Sequence, residues 1–362
     1  MRPLRLVFIL ALFCTFSFLY AQDPGPPPRD YWPTDGWRAS TPAEQGMDGD
    51  LLANIAATIE DEDMTFVRAV LVVRHGYLVH EGYYNGFTAD DRDNVRSVTK
   101  SVTSALVGIA LANGDLESLD VTVADFFPEY FEGRANADKR DITLRDLLMM
   151  RSGLKWGEAN WQVIPLWESD LDQMRRIFNL PLEYPPGEHW NYSTADAHLI
   201  GGFLTRATGM SLLDYANAHL FDPLGITGAE WDTDSQGYNV GGTGLALTPR
   251  EMAAFGYLYL NNGLWDGDQV VPAEWVALST TAQDDETDYG YQWWRGEREF
   301  FGGYPAFAAV GYGGDMVFVY PELDLVAVAK TSYFVTATPA QAQEDAVMRV
   351  IREYVIAAVE TE

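Results

Sequence analysis

The chain has 362 residues, of which 47% are hydrophobic and 21% are charged, as is typical of a folded globular protein. This length suits one compound domain or two closely packed ones. Its 53 acidic and 24 basic residues give a net charge of −29. Because nucleic acids and anionic membrane surfaces are bound by basic protein faces, this charge argues against both as partners.

The first 21 residues have the pattern of a secretory signal peptide. Arg2 and Arg5 provide a basic start, an apolar run follows, and Ala21 supplies a small residue before the cleavage point. The sequence therefore predicts an exported protein, periplasmic or secreted, with no membrane contact after cleavage. An uncleaved anchor is the competing interpretation. The single cysteine, Cys14, lies in this segment, so the mature chain would have no disulfide and no thiol nucleophile.

Predicted helices and strands follow in chain order. Residues 22–40 are rich in Pro and Gly and are expected to form an extended leader. A helix over 48–59 precedes two β-rich runs, 67–74 and 77–84, whose spacing predicts an antiparallel hairpin. The periodicity and end signals then predict helices over 97–113, 142–150, 194–208, 211–220 and 248–260, strands over 289–294, 306–311, 316–320 and 325–330, and a final helix over 340–359.

Strands therefore lie at both ends of the chain, and helices dominate its middle. This order predicts an α/β (α+β) fold, in which an antiparallel sheet flanked by helices carries an inserted, mainly helical domain. The predicted boundaries are 41–114 and 246–362 for the α/β sandwich domain and 115–245 for the helical domain.

Ser97 and Lys100 stand three residues apart at the start of a predicted helix. Residues i and i+3 share a helix face, and a lysine in a poorly solvated cleft has a lowered pKa that lets it take a serine proton. An N-cap serine followed by a solvated lysine would leave the same pattern. However, residues 101–110 are apolar nearly all round, which indicates a buried helix, and a buried lysine needs a partner or a function.

Two further stretches contain candidate residues. Tyr192 follows a Pro-Pro-Gly turn. A nearby cationic lysine can lower the pKa of a phenol toward ionisation, and the phenol can then pass protons to a leaving group. Residues 308–315 form a small-residue strand that enters a Gly-rich turn, where a backbone N–H paired with that of Ser97 would make an oxyanion hole. A structural tyrosine and a simple hairpin turn are the alternatives.

No metal or cofactor is predicted. The sequence has no Gly-x-Ser-x-Gly elbow, no Gly-rich phosphate loop with Gly-Lys-Ser/Thr and no His-Glu-x-x-His motif. Its five histidines form no ligand pattern. The expected chemistry therefore depends on side chains and backbone amides alone.

Together these stretches resemble the serine β-lactamase and penicillin-binding-protein superfamily, on its class C and esterase side. Ser97-Val-Thr-Lys100 is similar to Ser-x-x-Lys, Tyr192-Ser193-Thr194 to Tyr-x-Asn, and Ala309-Val310-Gly311 to the Lys-Thr-Gly strand. The resemblance covers residues 40–359 and is nearest to the branch of 6-aminohexanoate-dimer hydrolase and related carboxylesterases. It implies a β-lactamase-like fold with the active site in the cleft between the two domains.

The resemblance also implies a role for each motif. Ser97 would form an acyl-enzyme, Lys100 and Tyr192 would act as general base and acid, and the backbone amides of Ser97 and Tyr312 would hold the oxyanion. The residues implied to contact the substrate are Thr194, Ala309, Val310 and Gly311.

Two departures from the family pattern bear on the substrate. Thr194 stands where the family has Asn, and Ala309 where it has Lys, so the resemblance favours a small-molecule ester or amide over a β-lactam. Arg295 or Arg298 could supply a cation instead. A β-lactamase, a D-amino peptidase or carboxypeptidase of the same fold, and a catalytically inactive binding protein remain as alternatives.

Overall fold

The computed structural model describes residues 27–133, 136–158, 167, 169–284, 286–296, 301–332 and 338–360. The predicted signal peptide, Cys14 and Arg298 lie outside these residues. Within the described ranges, no helix is both long enough and apolar enough to cross a lipid bilayer.

The helices and strands are numbered in chain order, and short 3₁₀ and π-helical turns connect some of them. The helices are α1 Gly49–Asp61, α2 Val98–Asn113, α3 Val123–Phe126, α4 Leu144–Leu148, α5 Gln173–Phe178, α6 Thr194–Thr208, α7 Leu212–Ala216, α8 Pro249–Leu260, α9 Ala273–Ser279 and α10 Ala340–Val350. The strands are β1 Val67–Arg74, β2 Tyr77–Tyr83, β3 Asp93–Asn94, β4 Glu230–Trp231, β5 Leu245–Leu247, β6 Leu264–Trp265, β7 Asp268–Gln269, β8 Trp294–Arg295, β9 Phe307–Gly311, β10 Asp315–Tyr320 and β11 Leu325–Thr331.

A six-stranded sheet with the order β2-β1-β11-β10-β9-β8 forms the centre of the protein. Its neighbouring strands are antiparallel, and the first hairpin pairs with the last strand, so that Val72 of β1 lies opposite Ala327 of β11. Both ends of the chain therefore build one sheet. The predicted fold class, an antiparallel sheet flanked by helices, is confirmed.

The two faces of this sheet pack against different helices. Along β1, Ala69, Leu71 and Val73 belong to the core cluster that includes α2 and α8, whereas Val70 and Val72 belong to the cluster that includes α1 and α10. This alternation follows from the period of two in a β-strand. Because both faces are covered, β1 is apolar along most of its length.

Helix α2 is the element that joins the sheet to the inserted region. Every residue from Val98 to Ala110 is buried, because α2 packs against β9 on one side and against α6 and α9 on others. The first turn of α2, with Ser97 as its N-cap, therefore lies where the sheet, the inserted helices and the turn after β9 meet.

Three predicted elements differ from the observed ones. The strand predicted over 289–294 folds back on itself, because in a tight turn the Gly290 N–H donates to the Trp293 carbonyl and Tyr289 makes an isolated bridge to Trp294. The pairing with β9 is formed by Trp294 and Arg295. Helix α4, predicted over 142–150, is limited to Leu144–Leu148, because Thr143 caps it in a capping box with Asp146. The final helix changes to π-helical geometry over Ile351–Ile356.

The predicted leader is not simply extended where the structure describes it. In this leader, the Arg29 guanidinium donates two hydrogen bonds to the Asp324 carboxylate, at 2.6 and 2.7 Å. Trp32 packs against Tyr257 and Trp265, with ring centroids 5.9 and 5.6 Å away. The leader sequence contains aromatic and cationic side chains that find partners on α8 and beside β11, and this tertiary packing overrides its turn-rich composition.

Candidate active site

Ser97 lies at the N-terminus of α2 with its side chain directed away from the helix cap. Its backbone is in the right-handed helical region, at φ −74° and ψ −2°, and the side chain makes no capping hydrogen bond. The preceding residue, Arg96, has φ 52°, a left-handed conformation that is uncommon for a residue with a side chain. This local geometry leaves the Ser97 hydroxyl available to Lys100.

Lys100 is held by three partners. Its Nζ lies 2.8 Å from Ser97 Oγ, 2.9 Å from Thr194 Oγ1 and 3.0 Å from the carbonyl oxygen of Gly242. Residue 242 has no room for a larger side chain, because a Cβ on Gly242 would lie 3.0 Å from Thr194 Cγ2. The lysine predicted from the Ser-x-x-Lys spacing therefore contacts the serine directly.

Burial changes the ionisation of Lys100. Its side chain is 1% exposed, and desolvation lowers its pKa from the usual 10.5 to about 8, against the opposing attraction of the Glu158 carboxylate. A lysine with this pKa is partly unprotonated near neutral pH. It can therefore accept the proton of the Ser97 hydroxyl.

Tyr192 is the third predicted residue that the structure brings to this point. The Lys100 Nζ lies 4.8 Å from the centroid of the Tyr192 ring, and the phenol forms a hydrogen bond with Ser97. Desolvation raises the pKa of Tyr192, the Glu158 carboxylate raises it further, and the hydrogen bond to Ser97 opposes both. The expected lowering of this pKa is thus wrong, and Tyr192 stays a neutral phenol that can donate a proton.

Aromatic side chains surround the Tyr192 ring. Trp294 lies 5.4 Å from it, Tyr289 6.1 Å and Trp190 6.3 Å, as measured between ring centroids. These residues come from the inserted region and from the segment that leads into the sheet. They form an aromatic wall on one side of the phenol, in which Tyr289 is buried and Trp190 and Trp294 are partly exposed.

Glu158 is a charged residue of the site that the sequence did not reveal. Its Oε1 accepts a hydrogen bond from Thr194 Oγ1 at 2.6 Å, and its Oε2 accepts one from Thr194 N at 2.9 Å and another from Trp156 Nε1. No periodicity or motif marks residue 158, because its place depends on how the loop after α4 folds over α6. The Trp156-Gly-Glu158 sequence offers no recognisable signal.

Thr194 connects two charged residues of the site. Its side chain is 3% exposed, and its hydroxyl accepts from Lys100 while donating to Glu158. The hydroxyl hydrogen is therefore committed to a carboxylate. The contact of Thr194 with the substrate stays a prediction.

The turn after β9 approaches the nucleophile through Gly311. A Cβ at this position would lie 2.7 Å from the carbonyl oxygen of Val95 and 3.0 Å from the Cβ of Arg96, so only glycine permits the contact. Tyr312 follows directly, with its side chain 54% exposed. This places the Tyr312 segment beside the first turn of α2, where the sequence predicts an oxyanion hole.

The other two predicted residues of β9 lie on opposite faces of the sheet. Ala309 has no exposed surface and belongs to the core cluster that includes α2. This corrects the expectation that the Ala309 side chain lines the substrate site. Val310 is half-buried and packs against the opposite cluster, because successive residues of a strand point to opposite faces. Of the three residues, only Gly311 lies at the nucleophile.

A buried ion pair lies beside the turn between β9 and β10. Lys330 of β11 donates to Asp315 Oδ1 at 3.0 Å and to the carbonyl oxygen of Asn94 at 3.1 Å. Asp315 in turn accepts from the Thr331 N–H at 2.8 Å. Both charged side chains are 1% exposed. The pair connects the segment before Ser97 to β10 and β11.

The site has the groups of a nucleophilic serine enzyme rather than those of a metal centre. Across the described part of the chain, no group of three or more His, Cys, Asp or Glu side chains is placed to hold a metal ion. A serine, a lysine of lowered pKa and a neutral phenol can together carry out acyl transfer.

Comparisons with known proteins agree on a family. The family model described as Beta-lactamase matches residues 55–350. The 6-aminohexanoate-dimer hydrolase of Paenarthrobacter ureafaciens is 24% identical over 322 residues, which cover 81% of this chain and 80% of that protein. Esterase EstB of Burkholderia gladioli is 33% identical over 142 residues, which cover 36% of each chain.

A solved structure gives the same result for the fold. A penicillin-binding protein homolog from Caulobacter crescentus has a TM-score of 0.65 and 17% sequence identity, and the alignment covers 86% of this chain and 99% of that one. At this identity the likeness concerns the fold alone.

Proposed function

The chain belongs to the beta-lactamase family, and from that premise we propose that it is an exported serine hydrolase that cleaves a small ester or amide through an acyl-enzyme on Ser97. The hydrolases and esterases among its relatives support the reaction class. The N-terminal pattern of residues 1–21 supports export.

A single observation carries the proposed mechanism. Lys100 Nζ has two partners besides Ser97, the Gly242 carbonyl and the Thr194 hydroxyl. The carbonyl can only accept, and the hydroxyl has given its own hydrogen to Glu158. A neutral Lys100 therefore points two N–H groups at these acceptors and leaves its lone pair for the Ser97 hydroxyl. This is the orientation that a general base requires.

In the proposed acylation step, the Ser97 proton moves to Lys100 as Ser97 Oγ bonds to the substrate carbonyl carbon. The resulting oxyanion is held by the backbone N–H groups of Ser97 and Tyr312. As the tetrahedral intermediate collapses, Tyr192 donates its proton to the leaving alcohol or amine, and the Lys100 ammonium returns a proton to the phenolate that remains. The proton of Ser97 thus reaches the leaving group.

Deacylation reverses these roles. Unprotonated Lys100 takes a proton from a water molecule that attacks the acyl carbon, and it gives that proton to Ser97 Oγ as the acyl bond to Ser97 breaks. The acid product is released, and Lys100 returns to its unprotonated state. The small-molecule substrate supplies the acyl group and the leaving group.

The experiment that tests this proposal compares the wild-type protein with Ser97→Ala. We expect the wild-type protein to hydrolyse p-nitrophenyl butyrate and to acquire one fluorophosphonate adduct, located on Ser97 by mass spectrometry. Because Ser97 is the nucleophile, Ser97→Ala should lose about 10³-fold or more in kcat/KM while its thermal unfolding is unchanged. An adduct on another residue, or an active Ser97→Ala variant, would refute the proposal.

A further inference from the structure

We propose that Glu158 is a positioning residue that acts through Thr194 to orient Lys100 and to set its basicity. The inference rests on the proposed function, because Lys100 acts there as the general base. Its basis is the unbroken chain of hydrogen bonds from Ser97 through Lys100 and Thr194 to Glu158.

The first step of the argument is that Glu158 is itself fixed. Three hydrogen-bond donors hold its carboxylate: the Trp156 indole N–H, the Thr194 backbone N–H at 2.9 Å and the Thr194 hydroxyl at 2.6 Å. Trp156 is held in turn, since its carbonyl oxygen accepts from the Asn191 side chain at 2.9 Å. The carboxylate therefore has one orientation and takes the Thr194 hydrogen in it.

The second step concerns the direction of each hydrogen bond. A threonine hydroxyl has one hydrogen, and Glu158 takes it because an ionised carboxylate can only accept. Thr194 is thereby an acceptor toward Lys100. Without Glu158, the Thr194 hydroxyl could donate to the Lys100 lone pair, which would then no longer face Ser97. Glu158 thus selects the hydrogen-bond direction that makes Lys100 a base for Ser97.

The third step is electrostatic. Hydrogen bonds of 2.9 and 2.6 Å in series join the Lys100 amine to the Glu158 carboxylate, which puts the two groups within about 6 Å, a range over which an opposite charge shifts a pKa by roughly 1–3 units. The titratable groups that face Lys100 are Glu158 and Tyr192, and Tyr289 and Glu344 face Tyr192 in turn. Among these groups, the carboxylate of Glu158 opposes the desolvation of the Lys100 ammonium.

The test measures kcat/KM for p-nitrophenyl butyrate against pH. In the wild-type protein the acid limb reports Lys100, because only the unprotonated amine accepts the Ser97 proton. Glu158→Gln keeps the side-chain shape and removes the charge that favours the ammonium. We expect its acid limb to move to lower pH by about one unit. Glu183→Gln, the same change at an exposed residue paired with Lys155, should leave the limb where it is.

Two variants at Thr194 test the relay itself. Thr194→Val removes the hydroxyl at nearly constant volume, and we expect a loss of about 10²-fold in kcat/KM. Thr194→Ser keeps the hydroxyl and should retain most of the wild-type rate. Rates are divided by the number of sites titrated with a fluorophosphonate, so that any unfolded fraction does not enter. If Glu158→Gln does not fold, the comparison of Thr194→Val with Thr194→Ser decides the matter.

The outcomes separate this inference from the proposed function. A wild-type protein without esterase activity would refute the proposed function. The Lys100 pKa can then still be read by NMR titration of ¹³Cε-labelled lysine in the wild-type protein and in Glu158→Gln. An active enzyme whose acid limb is the same in Glu158→Gln, or whose Thr194→Val variant is as active as Thr194→Ser, would overturn the role of Glu158 alone.

Discussion

At the scale of single residues, the chemistry of the site depends on which side-chain hydrogens are already donated in hydrogen bonds within the protein. The Thr194 hydroxyl gives its hydrogen to Glu158, and the Ala309 side chain is buried in the core. The resemblance drawn from the sequence aligns these two positions with an Asn and a Lys of the family. This chain therefore offers a substrate neither an amide donor at residue 194 nor a cation at residue 309.

This difference predicts the preferred substrate. A cephalosporin has a carboxylate and a side-chain amide that need hydrogen-bonding partners, whereas an activated ester needs only the nucleophile, the oxyanion hole and room for a short acyl chain. A missing charge-assisted hydrogen bond costs about 1.5–3 kcal/mol, which is roughly one to two orders of magnitude in rate. We expect kcat/KM for p-nitrophenyl butyrate to exceed that for nitrocefin by about tenfold or more.

Both substrates would be measured on one preparation, with Ser97→Ala as the blank for spontaneous hydrolysis. A higher kcat/KM for nitrocefin would show that another cation reaches the substrate carboxylate. The interpretation as a β-lactamase would then replace that of an esterase or amidase.

The sequence could predict only those parts of the site that depend on local geometry. Ser97 and Lys100 meet because i and i+3 share a helix face, which holds for any helix. The orientation of Ala309 depends on the alternation of side chains along β9, so a change of one residue in alignment reverses it. Glu158 reaches the site because of the tertiary conformation of a loop, and helical or strand periodicity in the sequence does not predict that conformation.

At the scale of elements, the sheet and the nucleophile are connected by the Lys330–Asp315 pair. The strongest predictions concerned long apolar runs and helices with clear end signals, such as α2, whose C-terminal cap is Gly114, and α8, which Thr248 caps, because hydrophobic period and end signals agree there. The pair itself was not predicted, since its partners lie on different strands and face the interior. Because the pair is buried, removing it measures how much it contributes to the free energy of unfolding and to holding the segment before Ser97 on β10 and β11.

Asp315→Asn should destabilise the protein strongly. The change removes the buried carboxylate partner of Lys330 and leaves that of Asp93, which lies 3.3 Å from the ammonium and is 39% exposed. We therefore expect a cost of about 3 kcal/mol, the low end of the range for breaking a buried pair. The free energy of unfolding would be measured by urea denaturation of the two proteins. Removing the charge from the exposed Glu183–Lys155 pair by Glu183→Gln should cost less than about 1 kcal/mol. Equal losses in the two variants would contradict the structural role assigned to the buried pair.

At the scale of the whole molecule, the excess of acidic residues dominates the electrostatics. With a net charge of −29, like-charge repulsion opposes the compact state more than the surface ion pairs favour it. Added salt should therefore stabilise the fold. We expect Tm at neutral pH to rise by several degrees between about 0.01 and 0.3 M NaCl, since the Debye length falls from about 30 Å to below 10 Å over this range.

The form of the salt dependence identifies its cause. Screening saturates once the Debye length is shorter than the spacing of the charges, so most of the rise should occur at the lower salt concentrations. A Tm that is constant or falls with NaCl would mean that favourable ion pairs outweigh the repulsion. A rise that continues linearly to high concentration would point to exclusion of the salt from the protein surface instead.

The pairing of β1 with β11 also sets the order in which the molecule can assemble. Residue 72 lies opposite residue 327, so β1 has only one of its two neighbouring strands, β2, until nearly the whole polypeptide is present. Contacts between positions so far apart in the chain require a large loop to close first, which makes folding slow. A nascent chain that still lacks β11 therefore carries an open β1 edge, and the first turn of α2 acquires its full surroundings only after the final strand arrives.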